Sequence, residues 1–161
     1  MIRDPRGTGR MADWRQPLRE LPVGKGQVLR EGGDLAVLTI GPVGNQAADA
    51  IDLAAQEGIS ALHADLRFAK PLDEELLHGV GKRFKKVLTV ENGVIKGGVG
   101  SAVLEFMNAN GYDCRVEMLG IPDRFIEQGK IAELQRLCGF DTEGILAAIR
   151  ALHAEKGKKT E

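Results

Sequence analysis

The sequence predicts an α/β fold: a mostly parallel five-stranded sheet with one antiparallel edge strand and helices on both faces. Three observations carry this. Short apolar runs, such as Leu35-Ala36-Val37-Leu38-Thr39-Ile40 and Lys86 to Val90, suit strands covered on both faces of a parallel sheet. These runs alternate with longer segments of helical period. The 21 glycines fall between the periodic segments and form no repeat, so they read as turns.

The elements follow in chain order. Residues 1–23 hold Pro5, Pro17 and Pro22, several arginines and no period, and read as an arm or linker from a preceding domain. Gly26 to Arg30 and Asp34 to Ile40 read as two strands of a hairpin turning at Glu31-Gly32-Gly33, the first of them the antiparallel edge. A helix is expected from Asn45, as N-cap, to Glu57, with Ala47, Ala48, Ile51, Ala54 and Ala55 on one face and Gly58 as its stop. Ser60 to Asp65 is a strand. Asp73 caps a helix reaching Phe84, buries Leu76, Leu77, Val80 and Phe84, and joins Glu74 and Glu75 at the positive end of the dipole. Lys86 to Val90 is the next strand. A glycine-rich loop then enters a helix carrying Ala102, Val103, Phe106 and Met107, which Gly111 ends. Cys114 to Leu119 is the last strand. Two closing helices carry Ile131, Leu134 and Leu137, and, from Asp141, Ile145, Ile149 and Leu152. Residues 24–154 thus form one domain, followed by a charged tail, 155–161.

Composition narrows the function. A chain of 161 residues, 43% hydrophobic and 28% charged, supports one core of ordinary size. A net charge of −1 offers no footprint for nucleic acid or an anionic membrane. No apolar run approaches a membrane span, and the first residues lack the apolar stretch of a signal peptide, so a cytoplasmic location is expected. Cys114 and Cys138 read as reduced thiols. His63, His78 and His153 share no spacing, so neither a metal set nor a nucleophilic triad is expected.

Three segments could carry chemistry. Glu91-Asn92-Gly93-Val94-Ile95-Lys96-Gly97-Gly98-Val99-Gly100-Ser101 leaves a strand and enters a helix, where free amides attract anions. It fits neither phosphate motif: Val99-Gly100 stands where a P-loop needs Lys-Ser/Thr, and Val103 stands where a dinucleotide turn needs a small residue. A tight turn with close helix packing, an interface contact and an anion site all remain open. Asp65-Leu66-Arg67-Phe68-Ala69-Lys70-Pro71-Leu72-Asp73 places charges and an aromatic at a strand end; it is either a solvated loop or a contact surface. Arg3-Asp4-Pro5-Arg6-Gly7 offers guanidinium groups suited to phosphate, or is a basic tail.

Taken in order, R-D-P-R-G, L-P-V-G-K-G (21–26), D-L-R-F-A-K-P-L-D (65–73), V-E-N-G-V-I-K-G-G-V-G-S-A-V (90–103) and L-G-I-P-D-R-F-I-E-Q-G (119–129) resemble the C-terminal region of the 1-deoxy-D-xylulose-5-phosphate synthases, of the transketolase superfamily. The resemblance runs from Arg3 to about Ile149. It implies a transketolase C-terminal-domain-like fold, third of three domains. The parent is implied to be a homodimer that joins a pyruvate-derived two-carbon unit to glyceraldehyde 3-phosphate with loss of carbon dioxide, feeding isoprenoid synthesis. Thiamine diphosphate and magnesium are implied to lie in domains absent from this chain, which would itself hold no cofactor and no catalytic residue. Arg3 matches an arginine that helps bind the aldehyde's phosphate, with Asp4 standing where an aromatic is usual. Arg67, Phe68, Glu91, Asn92, Gly97 and Gly98 are the expected inter-domain contacts, because they gather at strand ends without a cofactor motif. A transketolase or 2-oxoacid dehydrogenase β subunit, or a free-standing anion-binding module, are the alternatives.

Overall fold

The structure, a computed structural model, describes Arg15, Pro17 and residues 19–155. Five strands, β1 (Gln27–Arg30), β2 (Leu35–Ile40), β3 (Ala61–Asp65), β4 (Lys86–Val94) and β5 (Arg115–Ile121), form one sheet in the order β1-β3-β2-β4-β5. All neighbours run parallel except β1, which is antiparallel to β3. The helices are α1 (Gly44–Gln56), α2 (Glu74–Arg83), α3 (Val99–Ala109), α4 (Ile131–Cys138) and α5 (Thr142–Ala154).

Side chains alternate across the strands and feed two cores. Leu35, Val37, Leu88 and Val90 point to α1 and α5, meeting Ala47, Ile51, Ile145 and Ile149. Ala36, Leu38 and Val87 point to α2 and α3, meeting Leu77, Val80, Val103 and Met107. β2 is therefore buried on both faces, as its apolar run predicts.

Helix ends follow local chemistry. Asp73 accepts from the Leu76 amide and Asp141 from the Gly144 amide, so both N-caps are side-chain made. Gly58, Gly111 and Gly139 take left-handed φ after α1, α3 and α4. In each case the next amide reaches back five residues, as in Ile59 to the Ala54 carbonyl, and closes the helix.

Three expectations need correction. The strands β1 and β2 are antiparallel in direction but are not a hairpin, because β3 lies between them. The Glu31-Gly32-Gly33 connection bridges the start of β3, where the Gly33 and Asp34 amides donate to the Ser60 carbonyl. Only glycine fits at position 32, since a Cβ there would strike the Ala61–Leu62 peptide. Second, α1 starts earlier than Asn45: Val43 is its N-cap, without a side-chain bond, and Asn45 lies in the first turn. Third, α4 turns Ile131 and Leu137 outward, and its one buried residue is Gln135. The Gln46 amide holds Gln135 there, donating to Oε1 at 3.1 Å.

Candidate functional site

The C-terminal ends of the parallel strands share one edge of the sheet. The turn after β3, the glycine loop after β4 and the segment after β5 open there, and the start of β1 joins them because Gln27 pairs with Asp65. This edge is where α/β folds collect functional groups.

The glycine loop is organised by Glu91. Its side chain is only 6% exposed, and its carboxylate turns back under the start of α3. Oε1 accepts from the Gly100 amide at 2.9 Å and Oε2 from the Val99 amide at 3.1 Å. The positive end of α3 is thus occupied by an anion the chain supplies itself. Glycines make the room. A Cβ on Gly98 would lie 2.5 Å from both carboxylate oxygens, one on Gly93 2.7 Å from Oε2, and one on Gly120 3.2 Å from Cγ. Gly100 lets α3 settle on the sheet, since a Cβ there would lie 2.5 Å from Thr89 Oγ1 and 2.9 Å from Met118 Cγ. Ser101 Oγ donates to the Ile95 carbonyl at 2.8 Å and accepts from the Gly97 amide at 3.0 Å. Strand β4 runs on past Val90 with an irregularity, and Val94 pairs with Ile121. The loop is therefore shorter and more tightly held than its composition suggests.

The second cluster joins two sequence motifs. Asp73 accepts from the Leu76 amide at 3.1 Å and the Gly26 amide at 2.9 Å, while Lys25 Nζ sits 3.4 Å from Asp73 and 2.7 Å from Glu75. Desolvation raises the Asp73 carboxyl, but these two amides and the Lys25 ammonium together outweigh it and hold the group below its ordinary value. L-P-V-G-K-G is in this way stapled to K-P-L-D, and Gly24 leaves space for Pro71 beyond a cis Lys70–Pro71 bond. In the adjoining turn, Arg67 has φ 57, unusual for a residue other than glycine. Its amide donates to Asp65 Oδ1 at 2.9 Å and its guanidinium donates to Gln27 Oε1. Phe68 follows, half-buried.

Arg67 and Phe68 thus lie along the same edge as Asn92, Gly97 and Gly98, but in two separate clusters. Strand β2 stands between them, with Thr39 paired to Asp65 on one side and Ile40 to Glu91 on the other. Asn92 and Gly97 are exposed; Glu91 is turned inward. Arg3 lies outside the described residues. Phe125, which the sequence analysis placed only within the 119–129 motif, is fully exposed in the segment after β5. Lys96 and Asp123, 2.9 Å apart, link that segment to the glycine loop.

Other reactive groups are spent on structure. His63 is buried in β3 with Nε2 3.0 Å from Thr39 Oγ1. Burial pushes its pKa down, with Asp65 opposing and Arg30 assisting. His78 Nδ1 lies 2.7 Å from the Tyr112 hydroxyl. Burial pushes the Cys114 thiol up, away from the reactive thiolate. Among the described residues no group of three His, Cys, Asp or Glu side chains is placed to hold a metal ion, and no helix is long and apolar enough to cross a membrane. The Val99 and Gly100 amides, the anion site that this strand-to-helix turn would offer a diphosphate, are already taken by Glu91.

The five-stranded mixed sheet, one edge strand antiparallel and helices on both faces, is the fold of a transketolase C-terminal domain. Residues 24–145 match the family described as transketolase, C-terminal domain, and the chain belongs to that family. Its similarity is more particular than that. The chain is 58% identical over 149 residues to 1-deoxy-D-xylulose-5-phosphate synthase of Bacteroides fragilis, covering 92% of this chain and 23% of that protein. It is 54% identical over 150 residues to the synthase of Parabacteroides distasonis, covering 93% and 24%. The chain therefore spans about a quarter of the length of these relatives. Among solved structures, one described as "Split gene transketolase, inactive beta4 tetramer" superposes with a TM-score of 0.79 at 29% identity, covering 86% of this chain and 45% of that one. Transketolase of Campylobacter jejuni, at 16% identity and TM-score 0.58 over 80% of this chain and 18% of its own, shares the fold.

Proposed function

We propose that this chain is the C-terminal domain of a 1-deoxy-D-xylulose-5-phosphate synthase and that its role there is architectural. The parent, a cytoplasmic homodimer, condenses pyruvate with glyceraldehyde 3-phosphate. Thiamine diphosphate and magnesium are held by its other domains. The observation that carries this reading is the Glu91 carboxylate on the Val99 and Gly100 amides. It fills with the chain's own anion the strand-to-helix turn where a ligand phosphate would otherwise sit. What remains at that edge suits protein contact: Phe68, Asn92 and the outer surface of Gly97 and Gly98, with Arg67 beside them and Glu91 shaping the loop from behind. Arg3, upstream, is assigned to the phosphate of the aldehyde substrate, a role that a guanidinium group, able to grip phosphate bidentately, suits.

Calorimetric titration of the chain with thiamine diphosphate and magnesium, beside an assay with pyruvate and glyceraldehyde 3-phosphate, tests the division of labour. No heat of binding and no turnover are expected. Binding tighter than millimolar, or turnover, would overturn it. In the intact synthase, Phe68→Ala tests the contact edge. It should lower activity and loosen the docking of this domain while leaving the isolated chain folded; an unchanged dimer with unchanged activity would remove Phe68 from the interface.

A further inference from the structure

Two Asn-Gly pairs occur in the chain, Asn92-Gly93 near the end of β4 and Asn110-Gly111 at the end of α3. In such a pair the glycine nitrogen can attack the asparagine side chain before it, because glycine has no Cβ to crowd the approach. Both asparagines are exposed. The fold treats them differently. At the end of α3, Asn110 Nδ2 donates to the Phe106 carbonyl at 2.9 Å, and the Gly111 amide donates to the Asn108 carbonyl at 3.1 Å. The side chain to be attacked and the attacking nitrogen are both held. The Asn92 side chain has no hydrogen-bond partner among the described residues. The sheet register also passes it by. Pairing with β2 ends at Ile40 and Glu91, and pairing with β5 jumps from Val90 and Leu119 to Val94 and Ile121. Asn92 and Gly93 fall in the gap, where the main chain can turn and bring the Gly93 nitrogen onto Asn92 Cγ. A bulkier residue could not guard this bond, since a Cβ at position 93 would lie 2.7 Å from Glu91 Oε2. The carboxylate that closes the start of α3 thereby leaves its neighbour open to attack.

We propose that Asn92 is a self-modifying site, converting in the folded chain to isoaspartate and aspartate through a succinimide. The Gly93 N–H gives its proton to hydroxide, and its nitrogen bonds to Asn92 Cγ. The Cγ–Nδ2 bond breaks, and the departing nitrogen takes up a proton from water and leaves as ammonia. Water then opens the ring. Addition at Cγ breaks the new bond and leaves an aspartate. Addition at the backbone carbonyl carbon of residue 92 breaks the original peptide bond to Gly93, and the main chain then runs through Cγ as an isoaspartate. No oxidant, reductant or second substrate is needed beyond water. The product carries one new negative charge beside Glu91, and its isoaspartyl form is an acceptor for a carboxyl methyltransferase. The inference concerns this chain alone and is independent of its place in a synthase.

Trypsin separates the two sites, placing Asn92 in residues 87–96 and Asn110 in residues 97–115. The folded 161-residue chain is aged at neutral pH, digested and weighed, and isoaspartate is counted with an isoaspartate-specific carboxyl methyltransferase and a labelled methyl donor. Conversion at Asn92 is expected to run at least about tenfold faster than at Asn110, where cyclisation must first break two hydrogen bonds. In urea the two rates should converge, because both sites are then plain Asn-Gly pairs. Asn92→Gln should abolish the product in 87–96 and leave 97–115 unchanged. Equal rates in the folded chain would overturn the proposal, and this comparison needs no variant to fold. A difference that persisted in urea would overturn it as well, since the sequence and not the fold would then set the rate. So would conversion at Asn92 without methyl-accepting isoaspartate, which would mean direct hydrolysis of the side chain.

Discussion

Replacing Glu91 by glutamine keeps the size of the side chain and changes one oxygen into a donor. One of the two amides at the start of α3, Val99 or Gly100, then faces an N–H in place of a carboxylate oxygen. That amide sits where water cannot easily reach it, so leaving it unpaired costs about 1–3 kcal/mol. The other bond survives but is no longer charge-assisted, and the favourable interaction with the helix dipole, about 0.3–1 kcal/mol, is lost. The sum is a destabilisation of about 2–4 kcal/mol, or roughly 5–15 °C in Tm for a domain of this size. Urea unfolding followed by circular dichroism measures it. Gly98→Ala should cost a similar amount by a different route, because its Cβ would sit 2.5 Å from both carboxylate oxygens and dislodge them. Both substitutions break the same contact, so the double variant should cost clearly less than the sum of the two. A loss below about 0.5 kcal/mol for Glu91→Gln, or full additivity with Gly98→Ala, would refute the claim that this carboxylate organises the loop.

Gly32→Ala should destabilise by about 1–3 kcal/mol through overpacking against the Ala61–Leu62 peptide, whereas Gly33→Ala, with open space around its Cβ, should cost under about 1 kcal/mol; paired urea curves check this. Asp73→Asn should cost about 1–2 kcal/mol, because its one amide oxygen can serve only one of the Leu76 and Gly26 amides, each held by a separate oxygen of Asp73. Since the Asp73 carboxyl is held below 3.8, its contribution is present above that pH and is lost as pH falls through the folded-state value; acid titration of the wild type and the Asn variant should converge there. His63 works in the opposite compartment of the pH scale. Its neutral form is favoured when folded, so stability is greatest above 6.5 and declines as pH falls through 6.5 toward the lowered folded value; His63→Gln should flatten that part of the profile, and an unchanged slope would remove His63 as its source.

Local chemistry was readable from the chain and long-range pairing was not. Asp73, Asp141, Gly58 and Gly111 mark helix ends from residues within four or five positions, and each acts as its type predicts. The parallel character of β2 follows from a run that has no polar face. The slot between β1 and β2 is different, because nothing near Glu31-Gly32-Gly33 records that a segment thirty residues later will enter it. Helix α4 misled for a related reason. Apolar residues at helical spacing announce a face to be covered, but not whether this domain or another will cover it, and here Gln135 takes the inner position. The glycine loop was legible as the entry to a helix. Its anion was not, although a carboxylate eight or nine residues ahead of the helix start was the available signal. Phe125 stood in the L-G-I-P-D-R-F-I-E-Q-G motif, but its exposure is a property of the finished fold.

The slot also governs the order of assembly. Strand β1 has no partner until residues 61–65 exist, because its ladder hydrogen bonds run to β3 alone. During synthesis the first strand made is thus among the last that can dock, and it waits for a segment more than thirty residues behind it. If the ends of the Glu31–Gly33 connection zipped together early, the resulting β1–β2 ribbon would block the central position of the sheet and would have to reopen. The bare backbone at Gly32 lets the finished crossing close over β3, and the Lys25–Asp73 pair then latches the latecomer to the body of the domain.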